Sequence, residues 1–346
     1  MRIHGINYDT GVLPGGRSSR LAFDPRVVRR EMEIIAGDLR CGAVRITGGD
    51  PERLTVAGER AADAGLEVWF SPFPFDLSIE EMRPLLADCA DRAASLRRRG
   101  AEVVLVTGCE LTTSAAGFLP GATGEERLAS LVSGDPALAA AYGELTARLN
   151  DFLAEAAADA RGRARFDGRV TYASGAWEPV DWRPFDVVSI DAYRDAGNAA
   201  AFEAGLRGLL AHGRPVVATE FGCCTYRGAG DRGATGWMIV DQRSEPPRLN
   251  GEYVRDEGEQ VAYLRDLLPV FEAAGLDGAF WFTFAHYEKP HRADPAHDLD
   301  MASYGVVRVL ERGTGRAYPG LRWEPKAAFR ALAEAYAPAG TGRDAP

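Results

Sequence analysis

Val103-Val104-Leu105-Val106-Thr107-Gly108-Cys109-Glu110 and Pro215-Val216-Val217-Ala218-Thr219-Glu220-Phe221-Gly222 decide the fold. Each is a short apolar run, rich in β-branched residues, that ends in a glutamate. Runs of this length with no polar alternation read as strands buried on both faces, as in parallel sheets. A carboxylate at the end of such a strand is a poor way to stabilise a fold, because Glu is seldom buried without a partner.

Working outward from these two segments, similar runs recur at Ile3–Tyr8, Ala43–Thr47, Glu67–Ser71, Glu102–Thr107, Arg169–Ala173, Asp186–Ile190, Pro215–Thr219 and Gly278–Thr283. Segments of helical period separate them: Arg26–Ala36, Glu52–Ala64, Ile79–Arg98, Ala137–Ala160, Ala199–Leu210, Glu257–Ala273 and Pro325–Ala335. The gap after Ala173 is short and aromatic, with Trp177 and Trp182, and holds at most a degenerate helix. Asp24-Pro25 and Asp50-Pro51 place a capping Asp ahead of a Pro in the first helical turn. Gly65, Gly100, Gly213 and Gly275 stand where helices end and strands begin, positions that favour a left-handed residue. Eight strands alternating with helices predict a single (β/α)8 TIM barrel over residues 1–337, with 338–346 as a disordered tail. A doubly wound nucleotide-binding sheet is the rival, but Tyr8-Asp9-Thr10-Gly11 after the first strand is no phosphate loop. The connections Leu111–Pro136, Phe221–Asp256 and Phe284–Glu324, after strands 4, 7 and 8, exceed the usual loop length and point to function. A hairpin is expected in the last of them, from Tyr304–Leu310 back through Gly313-Thr314-Gly315.

Composition narrows the partners. The chain has 346 residues, 46% of them apolar, and a formal net charge of -10. That acidity argues against nucleic acid and against an anionic membrane surface. Met1-Arg2-Ile3-His4-Gly5 opens no signal-peptide pattern, and no apolar run reaches a membrane span. Five scattered cysteines, Cys41, Cys89, Cys109, Cys223 and Cys224, fit neither a disulfide framework nor a metal motif. A cytoplasmic protein with a small-molecule or oligosaccharide substrate and no cofactor is expected. Oligomeric state is not legible.

Glu110 and Glu220 are the candidate catalytic pair. Strands 4 and 7 lie across a barrel mouth from one another, so carboxylates at their C-terminal ends can converge. Retaining glycosidases need one protonated and one ionised carboxyl about 5–5.5 Å apart. The eighth strand, Gly278-Ala279-Phe280-Trp281-Phe282, and the ending Tyr304-Gly305-Val306-Val307 with Trp323-Glu324-Pro325-Lys326 extend the pattern.

These motifs resemble the glycoside hydrolases of clan A, (β/α)8 enzymes with catalytic glutamates at the ends of strands 4 and 7. The resemblance spans nearly the whole chain. It implies Glu220 as nucleophile and Glu110 as acid/base. It also implies Tyr193 facing the nucleophile, Arg45 beneath it, and Trp281 as a ring platform for sugar. One position departs: Cys109 stands where the clan carries an Asn that binds the sugar 2-hydroxyl. A thiol is a weak donor and acceptor. Either the substrate lacks a standard 2-hydroxyl, another residue supplies the bond, or the chemistry has drifted. Arg45 has an alternative reading as an ion pair with Asp50 or Glu67. Asp191 is either a substrate-binding acid or a cap. Trp177, with Trp237, Phe73 and Phe75, is a rim candidate for stacking; Asn7, Tyr8 and Asp9 follow strand 1 toward the pocket. His286 is the best placed of the polar residues in the eighth loop. That loop also holds His291, Asp294, His297, Asp298 and Asp300, but shows no metal-ligand spacing. The expected activity is a retaining glycosidase or transglycosidase. A different hydrolase or cyclase on the same barrel, or a sugar-binding barrel without activity, stays open.

Overall fold

A computed structural model describes residues 1–12, 18–241 and 243–337. Eight strands form one parallel sheet: β1 (Ile3–Asp9), β2 (Ala43–Gly48), β3 (Glu67–Pro72), β4 (Val103–Cys109), β5 (Arg169–Ala173), β6 (Val188–Asp191), β7 (Val216–Phe221) and β8 (Gly278–Trp281). Their order is β5-β4-β3-β2-β1-β8-β7-β6. The two ends meet through a parallel bridge between Ser174 and Ile190. There the Asp191 N–H donates to the Ser174 carbonyl at 2.8 Å. The sheet is a closed (β/α)8 barrel, as the alternation predicts.

Each strand sends alternate side chains to two cores. Ile3, Trp69, Val104, Val106, Val217 and Phe280 fill the barrel interior. Gly5 makes room for Phe280, whose ring would lie 2.3 Å from any Cβ placed there. The outer faces pack Ile6, Val44, Ile46, Val68 and Phe70 against surrounding helices, α1 (Pro25–Gly37), α2 (Pro51–Asp63) and α3 (Ile79–Arg98) among them. Asp24 and Asp50 cap α1 and α2 as expected, accepting from the backbone N–H groups of Arg26 and of Glu52 and Arg53. Such caps contribute about 1 kcal/mol each. Gly65, Gly100, Gly213 and Gly275 all have positive φ.

The connection after β4 is less irregular than expected. It holds a one-turn helix, α4 (Leu111–Ser114), then α5 (Gly124–Val132), before the long α6 (Pro136–Gly162). A reciprocal capping box between Thr123 and Glu126 starts α5. After β5 there is no helix, only turns, before β6. The remaining helices are α7 (Phe202–Leu209), α8 (Gly258–Ala274) and α9 (Ala327–Ala335). The eighth loop carries a strand pair, but Val307–Val309 is paired by Trp323–Pro325, so the return arm lies beyond Gly313–Gly315. The expected tail at 338–346 falls outside the described residues. No helix among those described is long and apolar enough to cross a membrane.

Candidate active site

Both glutamate-bearing strands break register just before their glutamate. Against β5, β4 advances three residues (Val106 to Cys109) while its partner advances two (Thr171 to Ala173). Against β6, β7 advances from Ala218 to Glu220 while its partner moves one residue, from Ile190 to Asp191. The β7–β8 ladder shifts at the same place. An extra residue of this kind bends a strand and re-aims the side chains after it.

Glu220 is buried and held on both oxygens. Arg45 Nη1 donates to Oε1 at 2.7 Å, and the Tyr193 hydroxyl donates to Oε2 at 2.9 Å. Arg45 is itself fully buried, with Nε donating to Ser71 Oγ at 3.1 Å and Nη1 to Asn7 Oδ1 at 3.1 Å. The alternative partners are engaged elsewhere: Glu67 pairs with Arg2 and Arg169, and Asp50 caps α2. Burial and the charge of Glu220 push the Tyr193 hydroxyl well above its usual range, so it stays a donor.

Glu110 is positioned differently. Its backbone is left-handed (φ 44°, ψ 47°), a conformation uncommon for a residue with a Cβ. Surrounding bonds enforce it. Its N–H donates to the Ala173 carbonyl at 2.9 Å, and its carbonyl accepts from the N–H groups of Thr113 and Ser114. The Leu111 N–H donates to the Tyr172 hydroxyl at 2.7 Å. Ser114 Oγ donates to the Cys109 carbonyl at 2.7 Å. The Glu110 carboxyl has no hydrogen-bond donor among the described residues. Burial, then the charges of Asp191, Glu220 and Glu178, hold its pKa well above the ordinary carboxylate range.

Between them lie Cys109 and Asp191, both buried. Cys109 Sγ is 3.5 Å from Asp191 Oδ2 and 3.8 Å from Glu220 Oε1. Asp191 caps nothing; burial and the charge of Glu220 raise its pKa well above normal, with Arg45 pulling the other way. Ligand atoms of Cys109, Asp191 and Glu220 all lie within 4.8 Å of one another, the one grouping among the described residues that could hold a metal ion. Arg45 already supplies a cation to this trio, which suits chemistry without a metal. The eighth-loop histidines do not converge: His291 bonds Asp298 and His297 bonds Asp294.

Three expected substrate contacts are placed elsewhere. Tyr8 points out of the barrel, its hydroxyl donating to Glu31 of α1 at 2.5 Å. Trp281 is 0% exposed. It too faces outward, with its ring 5.3 Å from Phe221 and Nε1 donating to the Tyr304 carbonyl at 3.0 Å. Asn7 faces inward but is also 0% exposed. It orients Arg45 and donates to the Thr219 carbonyl at 2.9 Å, so it supports the site from beneath. Trp177 is half-buried beside α4, with Nε1 donating to Thr112 Oγ1 at 2.9 Å. His286 is buried, and its Nδ1 accepts the Tyr304 N–H at 3.3 Å, which places the proton on Nε2. Burial, then the charge of Lys289, lowers its pKa to about 3, so the ring is neutral.

Sequence reading missed three residues. Phe282 sits one position past Trp281, just beyond the end of β8, and is partly exposed. Its ring lies 5.8 Å from Tyr304 and 5.4 Å from His286, and Tyr304 lies 5.9 Å from Tyr193. Adjacency to Trp281 was the available signal. Glu178 accepts from Thr112, Tyr172 and Gly175, which no local pattern announces.

The barrel and this mouth can be set beside known proteins. No family model matches the chain, and no curated protein matches it. Solved structures do. A GH113 β-1,4-mannanase superposes with a TM-score of 0.60 at 15% identity, covering 96% of this chain and 98% of that one. An endo-1,4-β-D-mannanase from Thermotoga petrophila gives 0.52 at 11% identity, covering 97% and 99%. A GH5-4 broad specificity endoglucanase from Clostridium longisporum gives 0.56 at 10% identity, covering 96% of each chain. The chain has the (β/α)8 fold of these glycosidases across nearly its full length. At such identities the likeness is one of fold.

Proposed function

We propose that the protein is a retaining glycoside hydrolase or transglycosidase acting on a small glycoside or oligosaccharide by double displacement. The reading rests on one observation: two glutamates at the ends of β4 and β7, one held by two donors and the other by none among the described residues. Glu110, protonated, gives its proton to the glycosidic oxygen as the bond to the anomeric carbon breaks. Glu220, ionised, attacks that carbon and forms a glycosyl ester. Glu110 then takes a proton from water, or from an acceptor hydroxyl. The oxygen displaces Glu220, and both carboxyls return to their starting states. Tyr193 and Arg45 stabilise the negative charge on Glu220 before attack and after release. Phe282 and Trp177, both partly exposed, offer aromatic surface for the sugar, and His286 Nε2–H a donor.

Cys109 favours a second reading, a different hydrolysis or cyclisation on the same barrel, because its thiol cannot hold a hydroxyl as an amide would. One experiment separates them. The solved structures described above are named as β-1,4-mannanases and an endoglucanase, so 2-deoxy-2-fluoro mannosides and glucosides with dinitrophenyl leaving groups are the first probes. Incubation followed by mass spectrometry should show one sugar esterified to Glu220. A label on another residue, or none with turnover of a non-glycoside, moves the assignment to the second reading.

A further inference from the structure

Glu178 lies in the turn after β5. It is 7% exposed. Its Oε1 accepts from the Thr112 N–H at 2.9 Å and from Thr112 Oγ1 at 2.7 Å. Its Oε2 accepts from the Tyr172 hydroxyl at 2.8 Å and the Gly175 N–H at 3.0 Å. All four contacts come from donors, the pattern of an ionised carboxylate, since a protonated acid would need an acceptor. A buried carboxylate with its lone pairs occupied has none left for a ligand.

What it holds is the first turn of α4. Thr112 lies two residues beyond Glu110, and Thr112 Oγ1 also receives the Trp177 indole at 2.9 Å. The residue between them, Leu111, is tied through its N–H to Tyr172 at 2.7 Å, and Tyr172 is in turn tied to Glu178. The Glu110 side chain has no donor of its own among the described residues, and its backbone sits at φ 44°. Only the backbone on either side of it, and the field around it, determine where that carboxyl points. An unusual backbone conformation persists when its neighbours over-determine it. Glu178 and Tyr172 are those neighbours on the C-terminal side.

We propose that Glu178 is a positioning residue for the acid/base Glu110, clamping the turn that follows it. The inference rests on the glycosidase reading and deepens it. Its charge also belongs to the set that keeps Glu110 protonated. Glu220 differs in that its side chain is gripped directly, by Arg45 and Tyr193.

The test is the dependence on leaving group. An alkyl glycoside or disaccharide needs a proton on its departing oxygen, and a 2,4-dinitrophenyl glycoside does not. In Glu178→Gln the amide offers one acceptor oxygen and turns an NH2 toward groups that themselves donate, so the clamp fails. We expect kcat/KM for alkyl β-mannoside, β-glucoside or the matching disaccharide to fall about 10- to 100-fold. For the dinitrophenyl glycoside the loss should stay under about threefold. The alkaline limb of the kcat/KM profile should move to lower pH, because a negative neighbour of Glu110 is gone. Tyr172→Phe should show the same split at smaller amplitude, and serves if Glu178→Gln folds poorly by thermal melt. Equal losses on both leaving groups, or no loss, would overturn the inference. Glu110→Ala is the reference. If it shows the split and Glu178→Gln does not, the clamp alone is wrong. If Glu110→Ala lacks it, or the wild type turns over no glycoside, the catalytic reading fails and the clamp falls with it.

Discussion

The ends of β4 and β7 carry the same side chain in two opposite environments. At β7, Glu220 meets a buried guanidinium at 2.7 Å and a tyrosine hydroxyl at 2.9 Å, and the side chain is fixed. At β4, Glu110 meets no donor among the described residues, and the backbone is fixed instead, by bonds to Ala173, Tyr172 and the first turn of α4. Donors favour the charged form of a carboxyl; burial beside other carboxylates favours the neutral one. On the proposed mechanism, these two surroundings are what divide two identical residues into a nucleophile and an acid. Both strands use a register shift to bring their glutamate to the mouth, so what separates the two roles is chemistry around the carboxyl, not strand geometry.

Removing the β7 member tests this contrast most severely. Glu220→Ala should lower kcat/KM on any glycoside by at least about 10⁴-fold, since no other group replaces the attacking oxygen. Glu220→Gln should also cost about 3 kcal/mol of stability, measured by denaturant unfolding, because Arg45 then keeps its charge in a buried site without this partner. A variant with near wild-type turnover would place the nucleophile elsewhere and dissolve the comparison.

Tyr193→Phe sharpens it. Glu220 keeps Arg45 but loses one of its two donors, and the leaving carboxylate of the second step is less well stabilised. We expect kcat to fall about 10- to 100-fold with burst kinetics on dinitrophenyl glycosides, as release of the glycosyl ester becomes limiting. A rise in KM with kcat unchanged would make Tyr193 a simple binding residue.

Stability against pH probes the β4 side. The folded-state pKa of Glu110 lies well above its unfolded value near the ordinary carboxylate range. As pH rises through the unfolded value the unfolded chain releases its proton first, so native stability declines, and the decline is complete once pH passes the folded pKa. Glu110→Gln has no such proton to lose. Its Tm should match the wild type near pH 4 and exceed it at pH 7–8, the reverse of the loss expected for Glu220→Gln. A lower Tm at neutral pH would show that Glu110 is held by a partner after all.

The sequence displayed the barrel because both-face burial leaves uninterrupted runs such as Val103–Val106 and Val216–Ala218, with capped helices between them. It displayed Glu110, Glu220 and Tyr193 because each stands at or near a strand end; Arg45, inside β2, was legible only through the resemblance. It did not display which face of a strand looks inward. Alternation puts Phe280 on one side of β8 and Trp281 on the other, so both sides carry aromatic rings. The barrel closure decides between them, and it turns Trp281 against Phe221 of the outer layer, which also packs on Phe271. On β1 the same uncertainty of phase left both Asn7 and Tyr8 facing the pocket, and the structure turns Tyr8 outward to Glu31. Register shifts in β4 and β7 add a further step that no local pattern records. Glu178 was invisible for another reason: its partners come from β5, α4 and its own turn, and only the folded chain assembles them.

Tyr8 supplies the quietest test. Its hydroxyl shares Glu31 with Arg20 at 2.9 Å, Tyr287 at 2.5 Å and Trp323 at 2.9 Å, all outside the strand ring. Tyr8→Phe removes one of four donors and leaves Glu31 still paired with a cation, so the cost to stability should be about 1 kcal/mol. Neither kcat nor KM should move by more than about twofold, because nothing on this face reaches Glu110 or Glu220. Steady-state kinetics beside a thermal melt would show whether the wall of β1 divides structure from chemistry. A tenfold change in KM would mean that the outer layer reaches the sugar, and the account of two privately furnished strand ends would have to include a third.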